Sequence, residues 1–270
     1  MNVPDTEISP QPADCPVTNV TPRLPKLRLY VTDDLAAGAG IALSREQTHY
    51  LANVMRAGIG DAVALFNGRD GEWAATIAAL GKRGAELTVA AALRPQVAEP
   101  DLWLAFAPIK RGRIDWIAEK ATELGASVLW PIFTRHTAMD RVNLDRLRAN
   151  AIEAAEQCGR LSVPEVRDSV RFEEMLDQWP AERLLICCDE TGGGAPIIDA
   201  VRDLPAGPAG LMIGPEGGLA KEELDRLDKT PNVCRVSLGP RILRAETAAL
   251  AALACWQAAV GDWREGLRSI

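Results

Sequence analysis

Histidine is almost missing from this chain, with His49 and His136 the only two in 270 residues. A zinc site has too few ligands at useful spacing in such a sequence. The six cysteines (Cys15, Cys158, Cys187, Cys188, Cys234 and Cys255) form no C-x-x-C pair that would make up the difference. Cys187 and Cys188 lie in an apolar, strand-like run, where a free thiol behaves as a small hydrophobe, so reduced core thiols and no metal are expected. No apolar run reaches the roughly 18 residues that span a bilayer. The nearest, Ala248 to Val260, carries Gln257 and reads as a buried helix. The opening MNVPDTEISPQPADCP has neither the basic start nor the apolar core of a secretory signal, which leaves a cytoplasmic location as the default and no membrane partner. Nucleotide signatures are missing too. There is no G-x-x-x-x-G-K-[ST], which excludes a P-loop, and no G-x-G-x-x-G after a strand. The run Gly192 to Gly194 follows a strand but lacks that spacing, and G-x-S-x-G and H-E-x-x-H are absent.

What is present is an ordinary globular composition, 47% hydrophobic and 25% charged. A net charge of −7 and a pI near 5.1 argue against a protein that coats nucleic acid, while leaving room for a local basic patch. Arginine supplies 24 of the 30 basic residues, the type suited to phosphate contacts and to stacking. The clusters RLPKLR (Arg23 to Arg28), KRGR (Lys110 to Arg113) and RVNLDRLR (Arg141 to Arg148) each read, taken alone, as solvated surface.

Residues 1–26 are dense in proline and poor in hydrophobic pattern, and read as a flexible arm. Residues 27–93 read as a small β-rich unit with one helix. LRLYV is a strand, and SREQTHYLANVM is a helix with Ser44 as N-cap and Gln47 completing a capping box. DAVALF, EWAATIAAL and AELTVAAAL are strands separated by the turn chemistry of NGRDG and GKRG. Residues 94–100 form a linker. Over 101–270, continuously apolar strands (LWLAFAPI, SVLWPIF, RLLICCDE, AGLMIG, VCRVSLG) alternate with helices at about Arg113–Leu124, Leu144–Cys158, Glu222–Leu227 and from Ala245. That rhythm predicts an α/β domain with a parallel sheet covered on both faces.

Two glycine corners fall at strand ends of that domain, IGPEGG (Ile213 to Gly218) and SLGPRILRAETAAL (Ser237 to Leu250). In open parallel sheets, ligands bind at the carboxyl ends of strands. Glycine lets backbone approach a ligand closely and adopt positive φ. The plain alternative is that Gly214, Gly217 and Gly218 serve only tight βα turns, with Pro215 fixing φ. Two such corners on successive strands favour a shared site of backbone N–H and C=O groups, which suits a nucleobase edge. Without phosphate-binding apparatus, adenosine attached to something other than phosphate is one of the few ligands left.

The two corners together resemble the signature of the ribosomal RNA small subunit methyltransferase E family of the SPOUT superfamily. HYLANVMRAGIGD (His49 to Asp61), IAEKATELGA (Ile117 to Ala126) and AIEAAEQCGR (Ala151 to Arg160) are similar to three further family stretches, so the likeness covers roughly residues 27 to 260. The resemblance implies a PUA-like β-barrel ahead of a methyltransferase domain with a deep trefoil knot, a rare exception to unknotted topology. It implies S-adenosylmethionine wrapped by the two corners and the final helix, and a homodimer with the active site near the subunit interface. The implied reaction is methylation of N3 of one uridine of small-subunit (16S) rRNA near the decoding region, with the rRNA or the small ribosomal subunit as partner.

On that likeness Arg244 and Glu246 stand beside the methyl donor. Arg244 is expected to stabilise negative charge on uracil O2 or O4. Glu246 is expected to accept the N3 proton, or else to serve as a structural charge at the helix N-terminus, whose positive end weakens a base. Gly214, Glu216, Gly217, Leu238, Gly239, Ile242, Leu243 and Thr247 are expected around the cofactor. Glu216 can instead cap the following helix, and Leu238, Ile242 and Leu243 can instead be core. Arg28, His49 and Arg56 in the first unit are candidate RNA contacts. They are expected mostly to position phosphates rather than read sequence. Gln157 and Arg160, beside Gly159 at a helix end, can hold RNA or a substrate carbonyl, with a surface cap the alternative for Arg160. FTRHTAMD (Phe133 to Asp140) departs from the family pattern at His136, where a small polar residue is expected. Two other readings stay open: a non-catalytic RNA-binding protein with a PUA-like domain and a degenerate knotted domain, and an α/β enzyme using another nucleotide.

Overall fold

The computed structural model describes residues 25–81, 84–110, 112–202, 204 and 207–264. The arm expected over residues 1–26 lies, up to residue 24, outside the described residues. The chain builds two sheets. Strands β1 (Arg28–Tyr30), β2 (Gly40–Ala42), β3 (Ala62–Phe66), β4 (Glu72–Gly81) and β5 (Gly84–Arg94) form the first, in the order β1-β3-β4-β5-β2. The β4–β5 ladder slips register at three places. Such irregularities bend a sheet, here around a core that includes Leu29, Leu51, Val63, Leu65, Ile77 and Leu87.

The segment read as a single helix divides in two. Helix α1 (Arg45–His49) begins at the expected N-cap, where the Ser44 hydroxyl accepts from the Gln47 N–H and the Gln47 side chain accepts from the Ser44 N–H. Over Tyr50–Val54 it widens into a π-helical turn that buries Leu51, and the chain leaves through Arg56 at φ +55°. Tyr50, Val54 and Met55 are left on the surface. Side-chain pattern alone carries no signal for this widening, because a single π turn shifts the period over too few residues to register.

The second sheet contains β6 (Leu102–Phe106), β7 (Val128–Phe133), β8 (Glu165–Val166), β9 (Val170–Arg171), β10 (Leu184–Cys188), β11 (Ala195–Pro196), β12 (Ala209–Ile213) and β13 (Val233–Ser237). Their order is β11-β13-β10-β12-β6-β7-β8, with β9 also on β7, and the pairings are all parallel. Interleaved are α2 (Arg113–Glu123), α3 (Leu144–Cys158), α4 (Phe172–Gln178), α5 (Ile197–Val201), α6 (Lys221–Leu227) and α7 (Ala245–Ala259). One face of the sheet packs against α2, α3, α5 and α7 through Ile117, Ala121, Ala151, Val201 and Leu253. The other packs against α4 and α6 through Met175, Leu176 and Leu227. Every residue of β6 and β12 is buried, as the continuous apolar runs predict. Gly159, at φ +84°, closes α3 in the left-handed conformation expected of it.

The two sheets meet at the end of α3, and there two sequence expectations are corrected. Arg28 of β1 donates to the carbonyls of Ala155, Glu156 and Arg160 at 2.8, 2.7 and 2.8 Å. Arg94 donates to the Gly159 carbonyl at 3.0 Å. Glu72, fully buried, pins both guanidinium groups at 2.6 and 2.7 Å. Arg28 is therefore not presented to RNA. It satisfies helix-end carbonyls that have no partner within the helix. Arg160, expected on the surface, likewise turns inward, donating to the Thr122 carbonyl near the end of α2 at 2.7 Å and pairing with Glu99 at 2.7 Å. The negative ends of the two helices draw these cations in.

Candidate functional site

The carboxyl ends of β10, β12 and β13 lie side by side and open into one cavity of about 650 Å³, a size that suits a drug-sized ligand. Behind β12 runs the corner Gly214 to Gly218. Gly218 has φ +71°, the left-handed conformation that favours glycine, and a Cβ there would meet the carboxylate end of the exposed Glu190 side chain, which would have to move aside. His136 braces the corner from behind, its Nδ1–H donating to the Gly217 and Gly218 carbonyls at 3.2 and 3.1 Å. The residue that departs from the family pattern thus supports the loop. Behind β13, Gly239 turns at φ +102°, and Leu238, Ile242, Leu243 and Arg244 follow along the cavity. Ile242 lines it at 87% exposure, so it is rim rather than core.

A third corner, Asp189 to Gly192 after β10, completes the lining. Sequence reasoning missed it, because its glycines lack dinucleotide spacing. The available signal was an acidic pair ending an apolar strand. Burial works against the charge of Asp189. Arg235 at 3.1 Å and the Thr191 N–H at 2.9 Å outweigh it, and hold the carboxyl below its ordinary value.

Helix α7 starts at the rim. Ala245 and Ala248 line the cavity. At about 100° per residue Thr247 is turned away from them. It is exposed and, like Glu246, outside the lining. Glu246 stands beside the cavity. Its Oε1 is 3.4 Å from Arg113 Nε, and Arg113 Nη1 is 3.3 Å from Glu216 Oε1. The second oxygen of Glu246, Oε2, is shut off from solvent and has no hydrogen-bond partner among the described residues. Glu216 does not cap α6. Glu223 does so, accepting from the Ala220 and Arg135 N–H groups at 2.8 Å each. In sequence Arg113 is one member of the basic cluster KRGR, and a single arginine in a helix's first turn announces no partner. Arg244 is exposed at the rim.

His49, Arg56 and Gln157 are exposed, away from this cavity. Gln157 lines a second cavity of about 590 Å³ between the two sheets, together with Tyr50, Met55 and Glu156. Among the described residues, no helix is long and apolar enough to cross a membrane, and no group of three or more His, Cys, Asp or Glu side chains could hold a metal ion.

The fold and site are those of a parallel α/β domain with three corners closing on one cavity, preceded by a small β-rich unit. Residues 97–257 match the family model of the RNA methyltransferase domain, and residues 43–90 that of the RNA methyltransferase PUA domain. The chain is 32% identical to the ribosomal RNA small subunit methyltransferase E of Rickettsia conorii, over 84% of its own length and 93% of the relative's. It is 31% identical to that of Bacillus subtilis, over 78% and 87%. The Neisseria gonorrhoeae enzyme of that name, solved with S-adenosylmethionine, superposes at a TM-score of 0.78 and 28% identity, covering 89% of this chain and 100% of that one. A Legionella pneumophila methyltransferase, also solved with the cofactor, gives 0.77 and 29%, covering 89% and 99%. The chain belongs to the ribosomal RNA small subunit methyltransferase E family, with an α/β methyltransferase domain and a PUA unit.

Proposed function

We propose that this protein transfers a methyl group from S-adenosylmethionine to N3 of one uridine in the 16S rRNA of the small ribosomal subunit, near the decoding region, as a cytoplasmic homodimer. The observation that carries the reading is the convergence of both family corners, with a third, on one cavity in a chain whose relatives were solved with that cofactor. The cavity fits the cofactor. Its corners offer backbone groups to an adenine edge, Ile213, Leu238 and Ala248 give apolar wall, and Glu190 gives a negative group. In this reading the chain from β12 to α7 threads as the trefoil knot, which the return of α7 onto α2 and β12 supports.

When bound, S-adenosylmethionine supplies a methyl group on a positively charged sulfonium. The protein's own residues do the rest. Uracil N3 carries an imide proton that must leave for its lone pair to react. Glu246, next in sequence to the cavity-lining Ala245, holds an unpartnered oxygen, and a base N–H is the donor that relieves it. Arg244 balances charge developing on O2 or O4. The corners fix the reacting geometry, a contribution that dominates when no covalent intermediate is needed. Arg241 receives a phosphate at the rim, and His49, Arg56 and Gln157 make outlying RNA contacts. The exposed Ile242 gives a second subunit an apolar contact beside the cavity.

Two measurements test this reading. Calorimetric titration with S-adenosylmethionine is expected to show saturable binding by the wild type and none by Ala248→Trp, whose side chain fills the cavity. Labelled methyl groups are then expected at N3 of a single uridine when unmethylated small subunits are supplied. A folded protein that binds no cofactor at roughly millimolar concentration would leave only an RNA-binding role.

A further inference from the structure

The reaction proposed above, on which this inference rests, gives Arg113 no task, yet its guanidinium joins two elements of the site. Arg113 opens α2, directly after Gly112 at φ +87°. It reaches Glu216 on the β12 corner at 3.3 Å and Glu246 in the first turn of α7 at 3.4 Å. Among the described residues it is the cation paired with either carboxylate. Both distances exceed the roughly 2.7–2.9 Å of a committed charge-assisted bond, so one fork is shared between two acids. Removing it sets two like charges against each other on one rim and frees Glu246 to turn towards water. Arginine suits the task because its planar fork presents several donors at fixed angles, which lysine cannot.

We propose that Arg113 is a positioning residue. It holds Glu246 through Oε1, keeping Oε2 unpartnered for the substrate N–H, and registers that carboxylate to the cofactor corner through Glu216. A double-mutant cycle tests this. Arg113→Ala is expected to lower kcat about 100-fold, within the range attributed to a placed proton acceptor. The KM for small subunits and the calorimetric affinity for S-adenosylmethionine are expected to stay within about 3-fold of wild type. Arg113→Lys is expected to recover about 10-fold of that loss, since an ammonium can meet one carboxylate. In a Glu246→Gln background, adding Arg113→Ala is expected to cost less than about 3-fold more, because its effect runs through Glu246. Independent, multiplicative losses would overturn the proposal. So would an unchanged kcat with a raised KM and a salt slope lowered by about one, the signature of a phosphate anchor. Lost cofactor binding in Arg113→Ala, with wild-type binding intact, would also overturn it by making Arg113 part of the cofactor wall. A wild type that neither binds cofactor nor methylates overturns the methyltransferase reading, and this inference with it.

Discussion

Glu72 is one carboxylate on which two arginines and a helix end depend. Replacing it with alanine leaves Arg28 and Arg94 in the join between the sheets without the group that orients them. Removing one partner of a buried ion pair is costly, and Glu72→Ala is expected to lose about 3 kcal/mol in urea unfolding. Its neighbour Glu156 behaves differently. The Glu156 carboxyl accepts from the Tyr30 N–H at 2.9 Å, but burial pushes it up from 4.5 to about 7. The folded chain therefore binds that proton more tightly than the unfolded one. The resulting stability is fully present below about pH 4.5 and is lost as pH rises through about 7. Relative to Glu156→Gln, the wild type is expected to lose about 1–2 kcal/mol between pH 5 and pH 8, after allowing for solvent screening of a partly exposed group. Denaturant unfolding at several pH values reads this directly, and a gap that does not vary with pH counts against it. Neither role was legible in the sequence. A string of residues locates a charge along the chain but not the carbonyls that folding brings within 3 Å of it. Gly159 was legible because a C-terminal helix cap is decided within a few residues.

Among elements, legibility followed length. Helix α3 and the buried strands β6 and β12 carry enough residues to show their period, whereas β8, β9 and β11 are two residues each and show none. Helices α4 and α6 are equally short, at seven residues, and α6 alone is legible because the glycine corner before it marks where a helix can start. Two glycines on and after β12 separate packing from binding. Gly210, within the strand, read as one more residue of an apolar run. A Cβ there would fall on the ring of Trp179, which stacks on Trp130 at 6.1 Å in a cluster with Trp103. Overpacking of this kind typically costs 1–3 kcal/mol, so Gly210→Ala is expected to lose about 2 kcal/mol of stability and leave cofactor affinity within about 3-fold. Gly218, five residues past the strand, has positive φ, and a Cβ there would displace the exposed Glu190 carboxylate from the cavity wall. Gly218→Ala must distort the corner, and a cofactor affinity weakened at least about 10-fold is expected from calorimetry. If Gly218→Ala binds as the wild type does, that corner is not part of the cofactor site.

The division of the chain into a β-rich unit and an α/β domain was readable from the change of rhythm near residue 100, but the strength of their join was not. It rests on contacts between residues far apart in the chain. Arg28 caps the end of α3 across sequence separations of 127 to 132. Phe66 of the first sheet is fully buried against Ala155 and Leu161 of the second unit. A join with its own apolar contact and buried ion pairs couples the two cores, whereas a wet, polar join lets each unfold alone. The wild type is therefore expected to unfold in one transition, seen alike by far-ultraviolet circular dichroism and by tryptophan fluorescence. Trp103, Trp130 and Trp179 report the second unit and Trp73 the first. Phe66→Ala removes a buried aromatic, at a cost of about 3–5 kcal/mol. Combined with Arg28→Ala it also strips the cap from α3. The double variant is expected to split the transition in two, with the β-rich unit melting first because it has the smaller core. A wild type that already unfolds in two steps would mean that the two units turn independently, and that the outlying contacts of His49 and Arg56 are not held at a fixed distance from the cavity.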